Sequence, residues 1–124
     1  LPLTWLNCGG TRVSDLEPLR GMKLTYLQCG DTQVSDLEPL RGLPLRELFI
    51  GGTRVSDLTP IQGMRISKLS IGRLRIKDMS LLRDLALVEL NCDFDPARDA
   101  PLLRSIPTLQ TINGKPAAAV LGKE

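Results

Sequence analysis

An α/β solenoid is the fold this sequence predicts, with a parallel β-sheet on its concave face and short helical or 3₁₀ turns on its convex face. Three observations predict it. Side chains recur every 21 residues, apolar residues alternate with period two at the start of each unit, and a glycine-terminated Asp-Leu-x-Pro-Leu stretch follows in the first units. Val13, Val34, Val55, Ile76 and Ala97 keep the spacing, and so do Asp15, Asp36, Asp57, Asp78 and Asp99. A fixed period without insertions means one structural unit per 21 residues.

Each unit opens on a strand. The pattern reads Leu3-x-x-Leu6-x-Cys8-x-x-Thr11-x-Val13, then Leu24-x-x-Leu27-x-Cys29-x-x-Thr32-x-Val34, then Leu45-x-x-Leu48-x-Ile50-x-x-Thr53-x-Val55. The fourth and fifth units keep the strand positions (Ile66, Leu69, Ile71; Leu87, Leu90, Cys92) but carry Leu74 and Asp95 where the threonine stood. Period-two alternation marks a strand with one buried and one wet face.

A turn comes next. The Asp of each unit reads as an N-cap that accepts from the orphan amides of a short helical or 3₁₀ turn, and Gly21, Gly42 and Gly63 end that turn. Leu16 and Leu19, Leu37 and Leu40, and Leu58 and Ile61 are three apart, so they face inward from it. A single coil has nothing to bury its leucines against. Stacking is therefore obligatory, with like residues in columns about 4.8 Å apart.

The five repeats in register resemble the leucine-rich repeat, over about residues 1–112. The short Asp-Leu-x-Pro-Leu-x-Gly-Leu/Met unit is similar to the internalin-type bacterial repeat. The wording LNCGGTRVSDLEPLRGM and the ending LQTINGKPAA look like the leucine-rich repeat regions of large planctomycete proteins. That resemblance implies a concave ligand surface and, in many such proteins, a Ser/Thr kinase domain upstream. The 124 residues contain no phosphate loop, His-Arg-Asp or Asp-Phe-Gly motif, so a kinase would lie outside them.

At the ends, Leu1-Pro2-Leu3 aligns with Leu43-Pro44-Leu45 and reads as the tail of a coil, which makes the chain look like a fragment of a longer protein. No capping element precedes Leu3. We expect apolar surface exposed at that end and a tendency to dimerise through it. At the other end, residues 107–112 begin a sixth strand and Asn113-Gly114 signals a turn. Residues 113–124 form a terminal turn and tail, in which Ala117 to Glu124 either cover the last coil as a helical turn or fray.

Composition narrows the chemistry. The net charge of +2 is too small to announce nucleic-acid or membrane binding, and no apolar run approaches the length of a transmembrane helix. With no histidine and three cysteines lacking paired spacing, zinc sites, nucleophilic triads and a disulfide framework are unsupported. We expect no cofactor, no metal and no catalytic activity in this segment. Cys8, Cys29 and Cys92 occupy the inward strand position filled elsewhere by Ile50 and Ile71, so they read as buried free thiols. Such thiols tolerate a reducing compartment without requiring one.

The outward strand positions form three columns: Thr4, Thr25, Arg46, Ser67, Val88; Trp5, Tyr26, Glu47, Lys68, Glu89; and Asn7, Gln28, Phe49, Ser70, Asn91. Three of the four aromatics fall there. Trp5, Tyr26 and Phe49 are the first candidates for a protein- or peptide-binding site, with Asn7, Gln28, Arg46, Glu47 and Lys68 beside them. A second reading has Trp5 and Tyr26 packing on each other or on a preceding repeat. Glu47, Lys68 and Glu89 read as a solvated ladder of alternating sign. Arg20, Arg41, Arg83 and Arg104, with Gln62 between, read as cations at turn ends, Arg20 and Arg41 paired with Glu17 and Glu38, rather than as a phosphate stripe. The Asp column reads as caps rather than as a calcium ladder.

Overall fold

The computed structural model describes residues 3–76 and 78–121. Leu1 and Pro2, and the tail beyond residue 121, lie outside the described residues. Among these, seven strands form one sheet in chain order: β1 (Trp5–Asn7), β2 (Tyr26–Gln28), β3 (Glu47–Phe49), β4 (Lys68–Ser70), β5 (Glu89–Asn91), β6 (Thr111–Ile112) and β7 (Lys115–Pro116). β1 to β6 run parallel and β7 turns back antiparallel. Residues 21 apart are strand partners, as in the row Leu6, Leu27, Leu48, Leu69, Leu90. Leucine therefore stacks on leucine, and from Leu27 onward that row is at most 1% exposed.

The convex side carries 3₁₀ turns at Glu17–Leu19, Glu38–Leu40, Thr59–Ile61 and Ser80–Asp84. Each is preceded by an aspartate whose Oδ1 accepts the amide two residues on, at 2.9 Å: Asp15 from Glu17, Asp36 from Glu38, Asp57 from Thr59 and Asp78 from Ser80. These bonds satisfy amides that a 3₁₀ turn cannot pair internally. Gly21, Gly42 and Gly63 then reverse the chain with φ near +80°. In the fourth coil the turn runs longer, through Asp84 at the glycine register, and the left-handed conformation moves two residues on to Ala86 at φ 59°.

The fifth coil departs from the expected pattern. Asp99 does not cap a turn, and Ala97 is exposed rather than inward. Because Asp95 and Pro96 together start a helix early, the coil forms the α-helix α1 (Pro96–Arg104), with Asp95 as its cap accepting from the Ala97 amide at 3.2 Å. Asp99 is carried into the interior, 1% exposed. There it binds Arg98 Nε at 2.6 Å and accepts the Asp95 amide at 2.9 Å. The Arg98 hydrogen bond, against the cost of burial, holds its carboxyl below the usual range. The helix adds a residue to the repeat, so Leu90 pairs with Ile112 rather than with Thr111.

Turn corners explain two other columns. Thr11, Thr32 and Thr53 each donate Oγ to the carbonyl three residues back, at 2.6, 2.7 and 2.8 Å, and accept the amide two residues on. Beside them runs the glycine column Gly9, Gly30, Gly51, Gly72. At Gly51 a Cβ would lie 3.0 Å from the Gly72 carbonyl oxygen, so close stacking of the coils excludes a side chain there.

The ladder ends on side chains. The amides of Gly10, Asp31 and Gly52 donate to the carbonyls of Gly30, Gly51 and Gly72 in the next coil, each at 2.9 Å, but Arg73 donates to the carboxylate of Asp93 at 2.8 Å. Ile71 reaches the Asn91 carbonyl, whereas Cys92 reaches Asn113 Oδ1 at 2.8 Å. Asn113 and Gly114, at φ 53° and 80°, make the tight turn between β6 and β7. The helix α2 (Ala117–Leu121) then packs beside α1, its Leu121 carbonyl accepting from Arg104 at 2.5 Å. At the opposite end Leu3 is 43% exposed, whereas its counterparts Leu24, Leu45, Ile66 and Leu87 are at most 1%.

Candidate interaction face

The strand register places Trp5, Tyr26, Glu47, Lys68 and Glu89 in one row across the sheet, with Gln28, Phe49, Ser70 and Asn91 in the row two residues on. Leucines of the intervening row point inward, so these side chains stand on the opposite, concave face. Trp5 and Tyr26 lie ring on ring, 4.9 Å apart and 11° from parallel. Phe49 continues the cluster diagonally, its centroid 5.4 Å from that of Tyr26 and its plane tilted by 47°. Trp5 and Tyr26 thus do pack on each other, yet the pair stays on the surface: Trp5 is 55% exposed. Aromatics this close to one another gain from mutual contact and still present a continuous apolar patch.

The polar candidates divide. Asn7 Oδ1 accepts the Gly9 amide at 3.0 Å and Gln28 Oε1 the Gly30 amide at 2.7 Å, so both are committed to their own strand ends. The sequence held the signal for this role, an amide side chain two residues before a glycine, in Asn7-Cys8-Gly9 and Gln28-Cys29-Gly30. Arg46 sits apart from the aromatic patch, on a flank groove with Pro44, Met64 and Arg65. Lys68 binds Glu89 at 3.2 Å, and that hydrogen bond raises the pKa of its ammonium. Glu47 is half-buried; its backbone amide donates to the Thr25 carbonyl at 3.1 Å, and its carboxylate has no hydrogen bond or ion pair among the described residues.

Other columns are used up structurally. Arg20 and Arg41 clamp Glu17 and Glu38 at 2.5 and 2.7 Å, and each clamp lowers the pKa of its glutamate. Arg73 pairs with Asp31 at 2.6 Å, arching over Gly52. Among the described residues no His, Cys, Asp or Glu cluster converges as a metal site. The three cysteines are free thiols; burial pushes Cys29 up to about 12 and Cys92 up to about 11, and raises the half-buried Cys8 as well.

Stacked 21-residue coils, a parallel concave sheet and 3₁₀ turns behind it define the class: the chain is a leucine-rich repeat solenoid. Among solved structures it is similar to an internalin (inlF) from Listeria monocytogenes, with a TM-score of 0.63 and 24% identity over 89% of this chain and 40% of that one. It is similar also to an internalin C2 (inlC2) from the same organism, with a TM-score of 0.63 and 22% identity over 97% of this chain and 68% of that one. At these identities the likeness is one of fold, and the chain spans well under half the length of the first. No protein-family model and no curated protein matches the sequence.

Proposed function

We propose that this chain is a non-enzymatic protein-interaction module that binds a protein or peptide across the concave face of its sheet. The observation that carries the reading is the cluster of Trp5, Tyr26 and Phe49, aromatics held on a rigid sheet where the core has no use for them. Rigid aromatic anchors contribute most of the energy in typical interfaces. The resemblance of the repeat wording to planctomycete proteins, read from the sequence alone, is the ground for placing the module in a larger bacterial signalling protein.

The competing reading is an architectural spacer without a specific ligand. Immobilised wild-type chain and a Trp5→Ala/Tyr26→Ala/Phe49→Ala variant of equal thermal stability, exposed to the same extract, separate the two. The module reading expects bound proteins that the variant loses; identical capture by both supports the spacer. Self-association of the 124-residue chain through its first coil is a further proposal. Sedimentation equilibrium tests it: a dimer that Leu3→Lys dissociates supports the proposal, and a monomer at all concentrations overturns it.

A further inference from the structure

The aromatic patch is joined to an uncompensated carboxylate, and the pairing has a chemistry of its own. Glu47 is the strand partner of Tyr26 and lies two residues before Phe49 on β3. The next residue along the row is Lys68, but its ammonium is held by Glu89 at 3.2 Å, and Glu47 acts on it only through space. Glu47, Lys68 and Glu89 thus leave the row with a net charge of −1, and that charge lies beside the rings. Arg46, the nearest cation in sequence, belongs to the flank groove with Arg65.

Trp5 stacks on Tyr26 at 4.9 Å, close to the ordinary strand spacing, and Glu47 follows Tyr26 in the same row on the side away from Trp5. Phe49 is tilted 47° from Tyr26 with its centroid 5.4 Å away, so the two rings touch and present one continuous aromatic surface next to the strand position of Glu47. Aromatic faces attract cations, and a carboxylate at the same place adds a charge-assisted hydrogen bond. A guanidinium fits this combination better than an ammonium, because it is planar, stacks on rings and is weakly hydrated.

We propose that the aromatic surface of Trp5, Tyr26 and Phe49, together with the carboxylate of Glu47, is the specificity site of the concave face and takes an arginine side chain of an extended peptide segment, the guanidinium lying on an exposed ring face. This rests on the concave-face reading above and narrows its partner to a basic one. Trp5 is the single tryptophan of the chain, so its emission reports on the site directly.

The test uses three capped peptides, Gly-Arg-Gly-Arg-Gly, Gly-Glu-Gly-Glu-Gly and Gly-Leu-Gly-Leu-Gly, titrated into the whole chain at low and high salt while Trp5 emission and backbone amide shifts are followed. The proposal expects saturable changes with the arginine peptide alone, weakening with salt. It expects affinity to fall about 5- to 10-fold in Glu47→Gln and comparably in Tyr26→Leu, which keeps the apolar volume but removes the π face. Both variants should melt as the wild type does. An arginine response unchanged by Glu47→Gln, an equal response to the acidic peptide, or no response to the arginine peptide would overturn it. A response to the leucine peptide that survives Glu47→Gln would overturn the cation site yet leave the concave interaction face standing. Loss of the whole reading would instead show as unchanged partner capture by the triple alanine variant.

Discussion

Replacing the corner threonines by valine should destabilise the protein in proportion to burial and not to hydrogen bonding. Thr11, Thr32 and Thr53 make the same pair of bonds, with Oγ distances of 2.6, 2.7 and 2.8 Å to the carbonyls of Cys8, Cys29 and Ile50. Their surroundings differ: Thr11 is exposed, Thr53 half-buried and Thr32 only 3% exposed. Valine keeps the shape and removes the hydroxyl, so at Thr32 the Cys29 carbonyl and Val34 amide are left without that partner away from water, at a cost of about 1–3 kcal/mol. At Thr11 water replaces the hydroxyl, and the cost should stay under about 0.5 kcal/mol. Thr53→Val should fall between. Urea titration followed by far-UV circular dichroism reads the order directly, and a loss of about 2 kcal/mol at Thr32 should lower Tm by roughly 6–10 °C. Equal losses at all three positions would refute the reasoning, because the bonds themselves and not their desolvation would then set the cost.

Ala86 holds φ 59°, a left-handed conformation that the first three coils give to a glycine two register positions earlier, so Ala86→Gly should stabilise the chain by about 0.5 kcal/mol, strain relief outweighing the added chain entropy; a lower urea midpoint would contradict this. Cys8, half-buried, should react first with a thiol reagent at pH 8, while Cys29 and Cys92, with thiols raised to about 12 and about 11, should stay unreacted until the protein is denatured. Rapid labelling of all three in the native protein would disprove their burial. The lowered pKa of Asp99 means that its carboxylate contributes stability above its unfolded pKa, and that this contribution is lost as pH falls through the folded value. Wild type should therefore lose more stability than Asp99→Asn between about pH 5 and pH 3, measured by the urea midpoint at each pH. Parallel pH profiles for the two would rule the contribution out.

The sequence by itself determined the coil. A period of 21 residues, leucines at alternate positions and aspartate ahead of a proline turn dictate which side chains go in, because in stacked coils each residue's neighbour is its own counterpart in the next repeat. For the same reason the concave columns, with Trp5, Tyr26 and Phe49 among them, were legible without coordinates. The places where the repeat breaks were not. Asp99 keeps the register of four capping aspartates, yet Asp95 and Pro96 start α1 three residues earlier and turn Asp99 into a buried partner of Arg98. Asp93 and Asn113 show nothing in sequence of their shared role, which is to offer side-chain oxygens where the next coil's carbonyls would have stood. Only the tertiary structure decided these, since closing a ladder depends on which backbone amides are left over at its last rung. It also decided the local order of the concave face: the pairing of Lys68 with Glu89 rather than with Glu47 depends on how side chains settle between strands, and periodicity carries no information about that choice.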